Sequence, residues 1–148
     1  MFRSLQRRPT ALMLLVAVLL FPGTVCGQVA PHNSPPIDIA TAPAVFVMIG
    51  DPGCPHCARF EREAAPGYRA SEDGQLAPLV RRNRHDADIA FIPRVVYSPT
   101  FVMLIRGREI GRIVGYGGAD IFWMQVADLM SDVRVALARG KLGALRRL

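Results

Sequence analysis

Two cysteines set two residues apart, in Asp51-Pro52-Gly53-Cys54-Pro55-His56-Cys57, are the side chains of this sequence best suited to chemistry. As thiolates they are nucleophiles, and as a pair they store two electrons by closing a disulfide. The apolar run from Ala44 to Ile49 before them reads as a buried strand. Ala58 to Ala65 after them reads as a helix that ends at Pro66-Gly67. The pair therefore sits where a strand hands over to a helix N-terminus. The unpaired amides and positive dipole end of that first turn stabilise a thiolate at Cys54. Pro55 suits the first turn because its missing N–H has no intrahelical partner to lose. His56 adds positive charge or a hydrogen bond and lowers the thiol pKa further. Cys57, one turn on, reaches back to Cys54. The motif reads as a redox dithiol.

Other uses of two cysteines fit less well. A structural zinc site needs two further ligands, and outside the motif the chain offers only Cys26, His32 and His85, at no zinc-ligand spacing. Haem attachment needs His directly after the second cysteine, where Ala58 stands. A purely structural disulfide across so short a loop restrains the unfolded chain little.

The chain of 148 residues is one domain's worth, and its 51% hydrophobic content is ample for a single core. Arg3, Arg7 and Arg8 precede an apolar run from Ala11 to Phe21, with Pro22-Gly23 and small residues following. That is the order of a secretory signal peptide, expected over residues 1–27 with cleavage after Gly27, or after Ala30 as the fallback. The run is too short for a comfortable membrane span, which needs about 20 residues; an uncleaved inner-membrane anchor is the alternative. Val25 fits lipoprotein processing at Cys26 poorly, and Pro9-Thr10-Ala11 fits a twin-arginine signal poorly. Cleavage removes three arginines and no acids, lowering the formal charge from +6 to +3, which gives no argument for nucleic-acid binding. It also removes Cys26 and leaves both remaining cysteines in the motif, as suits an oxidising, periplasmic compartment.

Residues 28–43, with Pro31, Pro35, Pro36 and Pro43, read as a leader in which Ile37 and Ile39 suggest a short edge strand. The compact domain is expected over residues 44–140. Tyr68 to Gly74 is turn-prone. Ala77 to Arg82 reads as a second strand, parallel to the first across the helix. Arg81, Arg82 and Arg84 form either a docking patch for an acidic partner or, the preferred reading, a solvated strand end, with His85 on the surface. Asp86 to Pro93 reads as an irregular connection packed through Ile89, Phe91 and Ile92. Strand composition continues on both sides of Ser98-Pro99, a proline that marks an edge or a special backbone feature such as a cis bond. Arg106-Gly107 is a hairpin turn into an antiparallel strand over Arg108 to Val114. Gly115-Tyr116-Gly117-Gly118 lacks the residues of a phosphate loop and reads as a flexible turn. Asp120 is expected to cap a helix with Phe122, Val126, Leu129, Val133 and Leu137 on its apolar face and Gly140 at its end. Trp123, like Phe122, reads as packing. Lys141, Arg146 and Arg147 make residues 141–148 a basic tail.

This order, β-α-β-β-β-α, resembles the thioredoxin family. Cys54-Pro55-His56-Cys57 at a strand–helix junction and Pro99-Thr100 opening a strand 45 positions later carry the resemblance. It implies an α/β fold, a trimmed thioredoxin with a central mixed sheet flanked by helices. It also implies a cis Pro99 packed on the disulfide, substrate binding by Ser98, Pro99 and Thr100, and backbone hydrogen bonds from Ser98 to the substrate chain. More narrowly, Pro52 to Arg59, Ser98 to Met103, and Gly115-Tyr116 with Gly118, Asp120, Phe122 and Trp123 resemble the small periplasmic SoxS-type thioredoxins of bacterial sulfur-oxidation systems. Those are thought to reduce a sulfur-carrier protein. The expected activity is thiol–disulfide exchange by Cys54 and Cys57, tuned by Pro55 and His56, in a monomer that acts on a protein substrate and draws electrons from the inner membrane. No cofactor or metal is implied. A DsbA-like oxidant, whose dipeptide also contains His, and a non-catalytic docking module are the alternatives.

The chain departs from the family at Met48, where many thioredoxins keep a buried carboxylate that helps deprotonate the second cysteine. Asp51 is the candidate proton relay in its stead. Gly53 stands where a Trp is common.

Overall fold

The computed structural model describes residues 36–145, which lie in the compact unit Ser34–Leu148; side-chain surroundings are described as far as Gly140. The expected signal peptide, Cys26, His32, the first part of the leader and Arg146-Arg147 lie outside the described residues.

Among the described residues four strands form one mixed sheet, β1 Val45–Gly50, β2 Leu79–Asn83, β3 Thr100–Ile105 and β4 Arg108–Val114, in the order β2-β1-β3-β4. β1 pairs parallel with β2 and antiparallel with β3, so it has a neighbour on each side and all six of its residues are buried. A strand covered on both faces reads as a continuous apolar run, which is why Val45 to Ile49 shows no polar alternation. Its period of two divides the core. Phe46 and Met48, with Phe101 and Met103 of β3, face the helices. Val45, Val47 and Ile49, with Val102 and Leu104, face the other way, onto Ile39, Ala42, Ile89 and Ile92.

The helical side comprises α1 Pro55–Glu63, α2 Ala65–Ala70, α3 Glu72–Leu76 and α4 Ala119–Leu145. Phe60 of α1 is its centre, with ring centroids 4.6 Å from Phe101 and 5.0 Å from Phe122. Removing a buried aromatic ring of this kind costs about 3–5 kcal/mol, so this cluster anchors the helix that carries the cysteines. α4 buries Phe122, Val126, Met130 and Val133, with Leu129 and Leu137 partly buried beside them. The expected stripe holds, shifted by Met130.

Several expectations are corrected. Pro66-Gly67 does not end a helix: Pro66 lies in the first turn of α2, where a proline loses no hydrogen bond. Tyr68 to Gly74 is helical on both sides of Ser71, the extended residue that ends α2 and caps α3. Tyr68 is fully buried and donates its hydroxyl to the Ala77 carbonyl at 2.8 Å, and burial raises its pKa. The second strand begins at Leu79, two residues later than expected. Ile89 and Ile92 pack as expected, but Phe91 is exposed. Arg94 to Tyr97 is not a strand, because Arg94 takes a left-handed φ of 59° and the Arg112 guanidinium, rather than a neighbouring strand, donates to the Pro93 and Arg94 carbonyls. Asp120 lies inside the first turn of α4 instead of capping it, and α4 runs through Gly140 to Leu145. The end of the leader belongs to the core. Ile39 and Ala42 are buried there in a turn, not a strand, and the Ala42 carbonyl accepts from the Arg106 N–H at 2.8 Å.

The hairpin between β3 and β4 turns on Arg106 (φ 48°) and Gly107 (φ 72°). Two successive positive φ values match the right-handed twist of the flanking strands.

Candidate active site

Cys54 caps the N-terminus of α1, its Sγ accepting from the Cys57 N–H at 3.1 Å. The two cysteines are joined by a disulfide, with Cα atoms 5.3 Å apart. Their exposure differs: Cys54 is partly exposed, whereas Cys57 is only 1% exposed and belongs to the aromatic core with Phe60. Gly53 holds φ at 77°, a left-handed conformation that a tryptophan adopts only with strain, which accounts for the residue found here. Pro55 occupies the first helical position and His56 is exposed.

Ser98 and Pro99 come to this pair from the start of β3. The Ser98–Pro99 bond is cis. The Pro99 carbonyl accepts from the Gly115 N–H at 2.8 Å, which ties the loop after β4 to the site. Ser98 Oγ accepts from the Asp51 N–H at 2.9 Å and lies 3.4 Å from Cys57 Sγ. Thr100 does not join them. It is buried, and its hydroxyl donates to the Tyr97 carbonyl at 2.6 Å, holding the turn before β3. Asp51, the expected relay, turns both carboxylate oxygens to Arg84, each at 2.6 Å.

A cavity of about 320 Å³ is lined by His56 of the motif and by Tyr97, Ser98, Val114, Gly115 and Tyr116. Tyr97 and Val114 are exposed large apolar residues, so the cavity is an apolar shelf with a hydroxyl and an imidazole at its rim. Its wall is braced by a chain of polar contacts. Tyr116 donates its hydroxyl to Glu63 at 3.0 Å, and Glu63 accepts from Arg59 at 2.9 Å, whose guanidinium lies 5.7 Å from the Tyr116 ring centre. Burial and the bond to Glu63 push the Tyr116 phenol up to about 12, so it stays a neutral donor. The hydrogen bond from Arg59 holds the Glu63 carboxyl below its ordinary range.

Of the residues singled out from sequence, Cys54, Pro55, His56, Cys57, Ser98 and Pro99 meet at one place. Sequence reasoning gave Gly50, Tyr97 and Val114 no place at the site, saw Arg84 only in a basic patch, and met Tyr116 only through the resemblance. Gly50 left a legible signal, a glycine closing a buried strand beside the motif: a Cβ there would sit 2.7 Å from Cys57 Sγ.

No family model and no curated protein matches the sequence. Among solved structures 13 chains match. One is the crystal structure of the periplasmic thioredoxin SoxS from Paracoccus pantotrophus in its reduced form. It is 34% identical with a TM-score of 0.54, over 60% of this chain and 97% of that one. With near-complete coverage of that chain, and with a Cys-x-x-Cys disulfide closing at a strand–helix junction, this protein belongs to the thioredoxin family as a SoxS-like thiol–disulfide oxidoreductase.

Proposed function

We propose that this thioredoxin is exported to the periplasm, with a signal cleaved after Gly27, and there reduces a disulfide or oxidised cysteine on a partner protein. A sulfur-carrier protein is the substrate that fits the resemblance, and the periplasmic SoxS neighbour supports the compartment. The carrying observation is the asymmetry of the pair, with Cys54 partly exposed and Cys57 buried, next in sequence to His56, which lines the apolar cavity. In this reading the Cys54 thiolate attacks a substrate sulfur. The substrate disulfide breaks, one substrate sulfur leaves as a thiol and the other is held on Cys54. Cys57 then attacks Cys54 Sγ, displacing the second substrate sulfur and closing the Cys54–Cys57 disulfide. The substrate segment lies along Tyr97 and Val114, paired to the backbone of Ser98. The enzyme works as a monomer and is re-reduced from the inner membrane.

His56 in the cavity lining favours a second reading, a DsbA-like oxidant, because an imidazole N–H donated to a Cys54 thiolate stabilises the reduced form. The reduction potential of the Cys54–Cys57 couple in graded glutathione buffers separates the two. A value near the thioredoxin end, about −270 mV, supports the reductant, and one near the DsbA end, about −120 mV, supports the oxidant. A Cys57→Ser variant is expected to trap the substrate on Cys54, and its failure to trap any partner protein would overturn the proposed order of attack.

A further inference from the structure

The Cys57 sulfur lies where a proton has to be managed without the usual means. To displace a substrate from Cys54 it must act as a thiolate, yet it is 1% exposed and packed among Phe60, Met48 and Phe101. Burial of this kind favours the neutral thiol and slows attack. Met48 brings no acceptor. Asp51 has both oxygens on Arg84. Of the elements packed around it, α1 carries His56, Arg59, Glu61, Arg62 and Glu63, the loop after β4 carries Tyr116, and the first turn of α4 carries Asp120. None of these, among the described residues, is hydrogen-bonded to Cys57 Sγ.

What does touch the sulfur is the Ser98 hydroxyl, at 3.4 Å. A hydroxyl has one hydrogen to donate and two lone pairs to accept with. One lone pair is taken by the Asp51 N–H. In the disulfide Cys57 Sγ carries no hydrogen, so only the hydroxyl can donate in that contact, with its hydrogen directed at the sulfur when it does. The same orientation serves a thiolate better, because a hydrogen bond to a charged acceptor is roughly twice as strong as one to a neutral group. Ser98 also lines the open cavity. It therefore stands between the buried sulfur and solvent.

We infer that the Ser98 hydroxyl, oriented by the Asp51 backbone N–H, is the group that stabilises the Cys57 thiolate during resolution and connects its proton to the cavity. The step balances without a further reagent. Cys57–SH gives up its proton along the hydroxyl to water in the cavity, and the thiolate attacks Cys54 Sγ. The bond from Cys54 to the substrate sulfur breaks, and that sulfur takes up a proton as it leaves. Two protein thiols are oxidised as the substrate is reduced by two electrons. The inference rests on the proposed order of attack, Cys54 first and Cys57 second.

Stopped-flow reaction of the reduced protein with the chromogenic disulfide DTNB reads the two steps separately. Attack by Cys54 releases one coloured thiolate, and attack by Cys57 on the mixed disulfide releases the second. Ser98→Ala keeps the backbone proposed to pair with substrate, and its second phase is read relative to its own first phase. It should slow the second by about tenfold or more at neutral pH, and move the pH midpoint of that phase up by about one unit, as loss of a hydrogen bond to a charged group requires. Ser98→Thr, which keeps the hydroxyl, is expected to restore both rate and midpoint. A second phase unchanged in rate and midpoint in Ser98→Ala overturns the role of Ser98, as does a slowed phase whose midpoint stays put or that Ser98→Thr fails to restore. A first phase kept in Cys54→Ser and lost in Cys57→Ser would instead overturn the order of attack itself.

Discussion

The Arg84 guanidinium grips both carboxylate oxygens of Asp51, each at 2.6 Å, across 33 positions of sequence. The parallel register of β1 and β2 makes the meeting: Gly50 lies opposite Asn83, so the next residue of each strand, Asp51 and Arg84, leave the sheet side by side. The ion pair thus pins the loop that leads into Cys54 to the end of β2. Both partners are partly exposed, with side-chain exposures of 29% and 38%, so solvent screens the attraction. Its worth is at most about 1 kcal/mol. Arg84→Ala and Asp51→Asn should each destabilise the protein within that limit, and the double variant should lose little more than either alone. Urea unfolding of the four proteins checks this, and losses that simply add would show that the two residues act independently.

Gly50→Ala should destabilise the oxidised protein. The added Cβ would sit 2.7 Å from Cys57 Sγ and 3.5 Å from Ser98 Oγ, in a core with no room to yield. Overpacking of this kind costs about 1–3 kcal/mol. The midpoint of urea unfolding is the readout, and an unchanged midpoint would mean that the sulfur has space on the β1 side.

Acid should loosen the cavity wall through Glu63. Its carboxyl is held below the ordinary value of 4.5, first by the hydrogen bond from Arg59 and also by that from Tyr116, with burial opposing both. A carboxyl whose pKa is lower in the folded state stabilises the fold above its unfolded pKa, and that contribution is lost as pH falls through the folded one. Between neutral pH and about 4.5 the Gly115–Gly118 loop should therefore stay braced, and below that range it should loosen. Amide hydrogen exchange of this loop against pH, compared with Glu63→Gln, is the measurement. The variant should already be loosened at neutral pH, and identical exchange in both proteins at every pH would remove Glu63 from this role.

Much of the fold could be read from the chain because it depends on near neighbours. A helix start at Cys54-Pro55, the period of β1, the turn at Arg106-Gly107, the limits of β4 and the stripe on α4 are each set within one turn or one strand. Local misreadings came where one residue type serves two purposes. Pro66 can end a helix or open one, and only the docking of Tyr68 under α4 shows which. Strand-like composition in Val95-Val96-Tyr97 could not reveal that Arg94 turns the backbone left-handed or that a side chain from β4 takes up the neighbouring carbonyls.

The sequence by itself determined that this protein carries a redox dithiol on a strand–helix junction, with a serine–proline strand opening to meet it. The tertiary structure decided what surrounds that dithiol. Ser98 reaches Cys57 across 41 positions and Tyr116 reaches Glu63 across 53. No residue spacing encodes such contacts. They follow from the strand order β2-β1-β3-β4, which sets the end of β1 between Arg84 on one side and Ser98 on the other. Thiol chemistry is a property of residue type and local backbone, whereas control of a buried sulfur's proton depends on which distant groups the sheet brings within a few ångströms.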